Sequence, residues 1–188
     1  MAKQVESRRS DARRNETALL DAAAALFVTS GVEAPVRDIA ARAGVGVGTV
    51  YRHFPTRADL VVAVYRHQVD ACAEAGPTCL AEAASPYPAL VGWIDMFADL
   101  LVTKHGLAAA LTSDSTRFDA LHTYFLDRLL PVCTMLLDAA VAAGEVRHDV
   151  PAYALMRGVG NLCIGAEGDA RFDARLLVRL LLEGLRQH

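Results

Sequence analysis

The sequence predicts an all-α protein, and three observations carry that expectation. Of its 188 residues 53% are hydrophobic but only 6% aromatic, and the abundance of Ala and Leu favours helices over a β-sandwich. Apolar residues recur at i, i+3, i+4 and i+7, as in Val36, Ile39, Ala40 and Ala43, the period of an amphipathic helix. Gly31, Gly44, Pro55 and Gly144 fall between the helical runs and read as stops. A chain of this length holds one large domain, or a small one joined to a medium one.

The elements follow in order. Residues 1 to about 9 are polar and basic, the composition of a disordered arm that either stays solvated or tracks phosphates. A first helix is expected from Asp11 to Thr29, capped by Ser10 and stopped by Gly31. Basic Arg8, Arg9, Arg13 and Arg14 before the apolar run Leu19 to Val28 imitate a secretory leader. Asp21 interrupts that run, and Leu20, Ala23, Ala24 and Phe27 have helical spacing. No run reaches the roughly 20 apolar residues of a membrane span, so the protein is expected to be soluble with no membrane partner.

Pro35 opens a second short helix carrying Val36, Ile39, Ala40 and Ala43 inside and Arg37, Asp38 and Arg42 outside. Gly44-Val45-Gly46 then makes a turn too tight for most residues. In the next helix, at about 100° per residue, Val47, Val50 and Phe54 fall within roughly 60° of one another, with Thr49, Arg52 and His53 opposite. One face docks and the other is free to read. Two short helices around a glycine turn form a helix-turn-helix, whose second helix enters the major groove. A phosphate-cradling loop fits less well, since Gly44, Gly46 and Gly48 lack the G-x-G-x-x-G spacing and no strand precedes them.

Charge is distributed accordingly. Residues 1–60 hold nine Lys and Arg against seven Asp and Glu, and residues 61–188 hold ten against fifteen, within an overall −3. A slightly basic unit joined to an acidic body fits DNA contact by the first alone.

GVGTVYRHFPTRADL (Gly46 to Leu60) resembles the signature of the TetR family of bacterial repressors, with Tyr51, Phe54, Thr56 and Arg57 in the characteristic places. Arg57 stands where the family most often has Lys, Gly46 where it often has Ser, and Pro35 where it commonly has Thr or Ser. Gly at an N-cap costs only a few tenths of a kcal/mol relative to a capping side chain. The resemblance implies a three-helix DNA-binding unit (1–57), a connecting helix (58–76) and a helical ligand-binding and dimerisation domain (77–188). It also implies Tyr51 and Arg57 as phosphate contacts, beside Thr49, Arg52 and His53 as candidates for base edges and Arg37 for either.

Beyond Pro55, Thr56 to Asp59 reads as a capping box opening a fourth helix, which ends at Gly76-Pro77. That pair and Ser85-Pro86-Tyr87-Pro88 mark the boundary of the body. Further helices are expected at about 88–104, 105–113, 117–143 (with Pro131 inside), 151–166 and 173–186. The resemblance implies a small-molecule effector, for which Trp93, Phe97, His122, Tyr124, Phe125, Met156 and Asn161 are candidates. It implies a homodimer through the last two helices, with Leu155, Val159, Leu162, Leu177, Leu181 and Gly184 as interface residues, and Gly158, Gly165 and Gly184 allowing close helix approach. A two-fold dimer requires an inverted-repeat operator.

Cys72, Cys79, Cys133 and Cys163 form no C-x-x-C pair and read as buried hydrophobes in a reducing cytoplasm. His105, His122 and His148 are isolated, and no catalytic motif is present, so neither metal, cofactor nor enzymatic activity is expected. A helical dimer binding a small molecule or protein without an operator is the alternative.

Overall fold

The computed structural model describes the backbone of residues 2–103, 115–163 and 171–187. Among these residues the regular elements are all helices: α1 (Ala2–Ser30), α2 (Val36–Ala43), α3 (Val47–His53), α4 (Arg57–Glu82), α5 (Pro86–Thr103), α6 (Ser115–Ala142), α7 (Ala152–Cys163) and α8 (Ala174–Glu183). The expected helix at 105–113, Gly165 and the end of the 151–166 helix lie outside the described residues. The chain divides into two units, one built on Met1–Gln68 and the other mainly on residues from Val69 onward. The first 12 residues of α4 thus belong to one and the remainder to the other.

The structure departs from two sequence expectations. The basic segment before Ser10 is helical from Ala2, so Ser10 lies within α1 and not at its start. Residues 2–30 contain no Gly or Pro, and their Lys, Arg, Gln and Glu are good helix formers. Likewise α4 does not stop at Gly76-Pro77 but continues to Glu82. Pro77 has no N–H for the Ala73 carbonyl, yet packing inside the second unit holds the helix together there. The Trp93 indole N–H donates to the neighbouring Cys72 carbonyl at 2.9 Å, and Gly76 lies so close to α6 that an added Cβ would overlap Val132 Cγ1.

In the first unit, Leu19, Ala23 and Phe27 of α1 and Ile39 and Ala40 of α2 are buried together with Val50, Phe54, Leu60 and Val64. His67 of α4 bonds Asp21 of α1 at 2.7 Å. The expected capping box forms at Thr56, whose N–H and hydroxyl both donate to Asp59 Oδ2 while the Asp59 N–H donates to the Thr56 hydroxyl.

In the second unit, Trp93, Phe97, Leu90 and Ile94 of α5 are at most 1% exposed, as are Leu129, Cys133 and Leu136 of α6. α5 packs against α7 and α8. α6 ends at Gly144, whose φ of +72° lets its N–H and that of Glu145 return to the Val141 and Ala140 carbonyls, satisfying groups the helix end leaves open. Glu145 then accepts the Tyr87 N–H at 2.7 Å, placing a carboxylate on the first turn of α5. The Ser85 hydroxyl and this N–H hold the Glu145 carboxyl below its ordinary pKa.

Candidate functional site

The turn between α2 and α3 is built as its glycines suggest. Gly44 takes a φ of +69°, and its N–H and that of Val45 close onto the Ala41 and Ala40 carbonyls at 3.2 and 3.0 Å. Gly46 caps α3 in an extended conformation without a side-chain bond, consistent with its lacking the serine hydroxyl.

α3 then docks through Val50 and Phe54, 1% and 7% exposed. Tyr51, Arg52 and His53 are exposed and Thr49 is half-buried. These four candidates therefore lie on one short helix with no acidic residue, and its outer surface is cationic. Val47 is corrected: it is 41% exposed and does not dock, because it sits in the first turn, a full turn before the anchoring Val50. Arg37, in the first turn of α2, projects into solvent beside Asp38, whose Oδ1 accepts from its Nε at 3.2 Å.

Arg57, which the resemblance implied as a phosphate contact, is turned toward the protein. Its guanidinium donates to the Val32 carbonyl and lies 5.3 Å from the centre of the Phe27 ring, a cation–π distance. Nε is buried without a hydrogen-bond partner among the described residues. Burial lowers the pKa of the group below its ordinary value, opposed by nearby Glu33. Arg57 thus ties the start of α4 to the α1–α2 connection instead of reaching outward. A cleft of about 290 Å³ beside it is lined by Glu33, Pro35, Tyr51 and Thr56 among others.

In the second unit a cavity of about 60 Å³ lies between α5, α6 and α7. Five of the seven proposed effector contacts line it: Phe97, His122, Phe125, Met156 and Asn161. The Phe97 and Phe125 rings stand 5.7 Å apart, and His122 lies over Phe125 at 6.3 Å. Trp93 is not on the wall; it is fully buried and stacked on Phe97 at 5.7 Å. Tyr124 also faces elsewhere, its hydroxyl donating to the Asp70 carboxylate at 2.7 Å, where Arg128 Nε also donates. Leu101, Leu126, Tyr153, Arg157 and Gly160 complete the wall and were missed. Tyr153, Arg157 and Asn161 stand at i, i+4 and i+8, a helical stripe visible in the sequence, but nothing local marks a polar stripe as the rim of a cavity.

The candidates for a dimer face differ in exposure along α7 and α8. Leu155 and Val159 are 2% and 0% exposed within the unit, so nothing remains on them for a second copy to cover. Leu162, Leu177 and Leu181 are half-buried, and Gly184 follows α8 as its C-cap. Leu176 and Leu180, four residues apart, are 46% and 59% exposed. A Cβ at Gly158 would meet Leu181 of the same chain at an ordinary 3.5 Å.

No helix among the described residues is long and apolar enough to cross a membrane, and they contain no group of three or more His, Cys, Asp or Glu able to hold a metal. Burial pushes the Cys72 and Cys133 thiols up to about 12, far from the thiolate that reactivity requires.

An exposed cationic helix, anchored by two apolar side chains and set by a glycine turn, defines a helix-turn-helix DNA-binding unit. Residues 19–64 match the bacterial regulatory proteins of the tetR family, and residues 85–187 match the C-terminal domain of SbtR-like transcriptional regulators. A TetR transcriptional regulator of Streptomyces coelicolor is 34% identical, with 91% of this chain and 98% of that one covered and a TM-score of 0.77. For the TetR regulatory protein of Mycobacterium vanbaalenii the identity is 33%, the coverage 95% and 99%, and the TM-score 0.75. The HTH-type transcriptional repressor LfrR of Mycolicibacterium smegmatis is 47% identical over 57 residues, a stretch spanning only 30% of each chain. The chain belongs to the tetR family of transcriptional regulators, which are not enzymes.

Proposed function

We propose that the protein is a repressor that binds an inverted-repeat operator as a homodimer and is released by a small-molecule effector. The observation that carries this reading is the division of α3, with Val50 and Phe54 buried and Tyr51, Arg52 and His53 exposed. Arg52 offers a fork to guanine O6 and N7, Thr49 and His53 reach neighbouring base edges, and Tyr51 positions the helix on phosphate. Arg37 meets phosphate or a base from α2. LfrR is named a repressor, and its likeness to this chain over 57 residues supports the sign of regulation.

Two recognition helices spaced by about 34 Å meet successive major grooves on one DNA face. The apolar band of Leu176 and Leu180, flanked by Leu177 and Leu181, is the surface we assign to the second copy. Effector in the α5–α6–α7 cavity shifts α6, and through Tyr124 and Arg128 the Asp70 carboxylate on α4. The connecting helix then moves the recognition helices off the groove spacing. A hundredfold weakening of operator binding requires the effector to prefer the released shape by about 2.7 kcal/mol.

Selection of randomised duplex DNA on the purified protein at about 0.15 M salt tests the reading. Enrichment of duplexes sharing an inverted repeat is the expected result. Retention without sequence preference, or none, would favour instead a helical dimer that binds a small molecule or protein and has no operator.

A further inference from the structure

The cavity between α5, α6 and α7 has two unlike walls. Its floor is apolar and aromatic: Phe97, Leu101 and Phe125 are at most 5% exposed, and Met156 is 3% exposed. Its rim is a stripe along α7, where Tyr153, Arg157 and Asn161 are all exposed and follow one another at four-residue steps on one helical face. The rim carries a hydroxyl, a guanidinium and a carboxamide, all able to donate. None of the described lining residues is Asp or Glu, and no ion pair among the described residues neutralises Arg157.

We infer that the effector of this regulator is an amphipathic carboxylate, its apolar body on the Phe97–Phe125 floor and its anionic head on Arg157 and Asn161. This inference rests on the reading of the cavity as an effector site. A guanidinium matches a carboxylate with two parallel N–H donors, and Asn161, one turn further along α7, adds a third. The same rim disfavours an ammonium head, which would meet Arg157 with no carboxylate to offset the repulsion. At about 60 Å³ the cavity takes a short apolar group, and a larger body requires the unbranched Met156 side chain to change rotamer.

The test uses the full chain and two probes of like body and opposite head, 4-phenylbutyrate and 4-phenylbutylammonium, titrated calorimetrically and by the fluorescence of Trp93, which stacks on Phe97. Two variants accompany them. Arg157→Gln removes the charge at an exposed position. Gly160→Leu fills the cavity from a point where an added Cβ meets nothing within 4 Å, so the variant has room to fold. The expected result is binding of the acid at least about tenfold tighter than of the amine. That preference disappears in Arg157→Gln, and binding is lost in Gly160→Leu. An amine bound as tightly as the acid, yet excluded by Gly160→Leu, would overturn the carboxylate assignment while leaving the site in place. Acid preference surviving in Arg157→Gln would do the same. Binding that survives Gly160→Leu, or no binding of either probe up to about 1 mM, would overturn the effector site and the assignment together.

Discussion

The indole N–H of Trp93 donates to the carbonyl of Cys72 at 2.9 Å, joining α5 to α4 one turn before Pro77 interrupts the hydrogen bonding of α4. Trp93→Phe removes the donor and leaves a gap where the second ring was. The variant is expected to lose about 1–3 kcal/mol of stability, read from urea unfolding followed by far-ultraviolet circular dichroism. A loss below about 0.5 kcal/mol would mean that the bond contributes little to holding α4 there.

Arg57 separates two roles by salt dependence. Because its guanidinium is bound to the Val32 carbonyl and the Phe27 ring, Arg57→Ala is expected to cost about 1–3 kcal/mol of stability. Affinity should fall alike on all duplexes, with the dependence on salt unchanged. A direct phosphate contact would instead reduce that slope by about one, and such a change would reinstate the role the family resemblance implies.

Arg52 is exposed on α3 and is assigned to a base. Arg52→Ala should cost about 1–3 kcal/mol on the selected operator and relax preference at one position of each half-site. Repeating the duplex selection with the variant reads this directly. An equal loss on every sequence would make Arg52 a phosphate contact.

Glu145 gives a pH signature. Hydrogen bonds from Ser85 and Tyr87 hold its folded-state pKa below 4.5, so the unfolded chain takes up the proton first as pH falls. Its stabilising contribution is complete above the unfolded value and is lost as pH drops through the folded one. Glu145→Gln is therefore expected to flatten the decline of stability as pH falls through and below the ordinary carboxylate range. An identical decline in both proteins would show that Glu145 is not part of the acid response.

The local rules carried much of the architecture. Gly44, the Thr56–Asp59 box and Gly144 form the turns their residue types predict, and Val50 and Phe54 dock as their spacing requires. The misses share a cause, which is that partners distant in sequence decide them. Gly76-Pro77 reads as a stop until Trp93 and Val132 are known to pack there. Arg57 reads as an outward cation until Val32 and Phe27 stand beside it. Leu155 and Val159 share a period with the other candidates for an interface, and only the packed unit shows that its own core already covers them. Arg157 belongs to the cavity rim because α5 and α6 stand opposite it, a fact no window of α7 contains.

The missing side chain at position 76 also orders the changes the protein can tolerate. Alanine there would gain about 1 kcal/mol of helix propensity over glycine, but its methyl would overlap Val132 Cγ1, a branched group that cannot easily swing aside. The exchange becomes favourable only after residue 132 has lost that branch. Of the two sequential routes to alanine at both positions, the one that begins with Val132→Ala is open, and the one that begins with Gly76→Ala leads first through a strained intermediate.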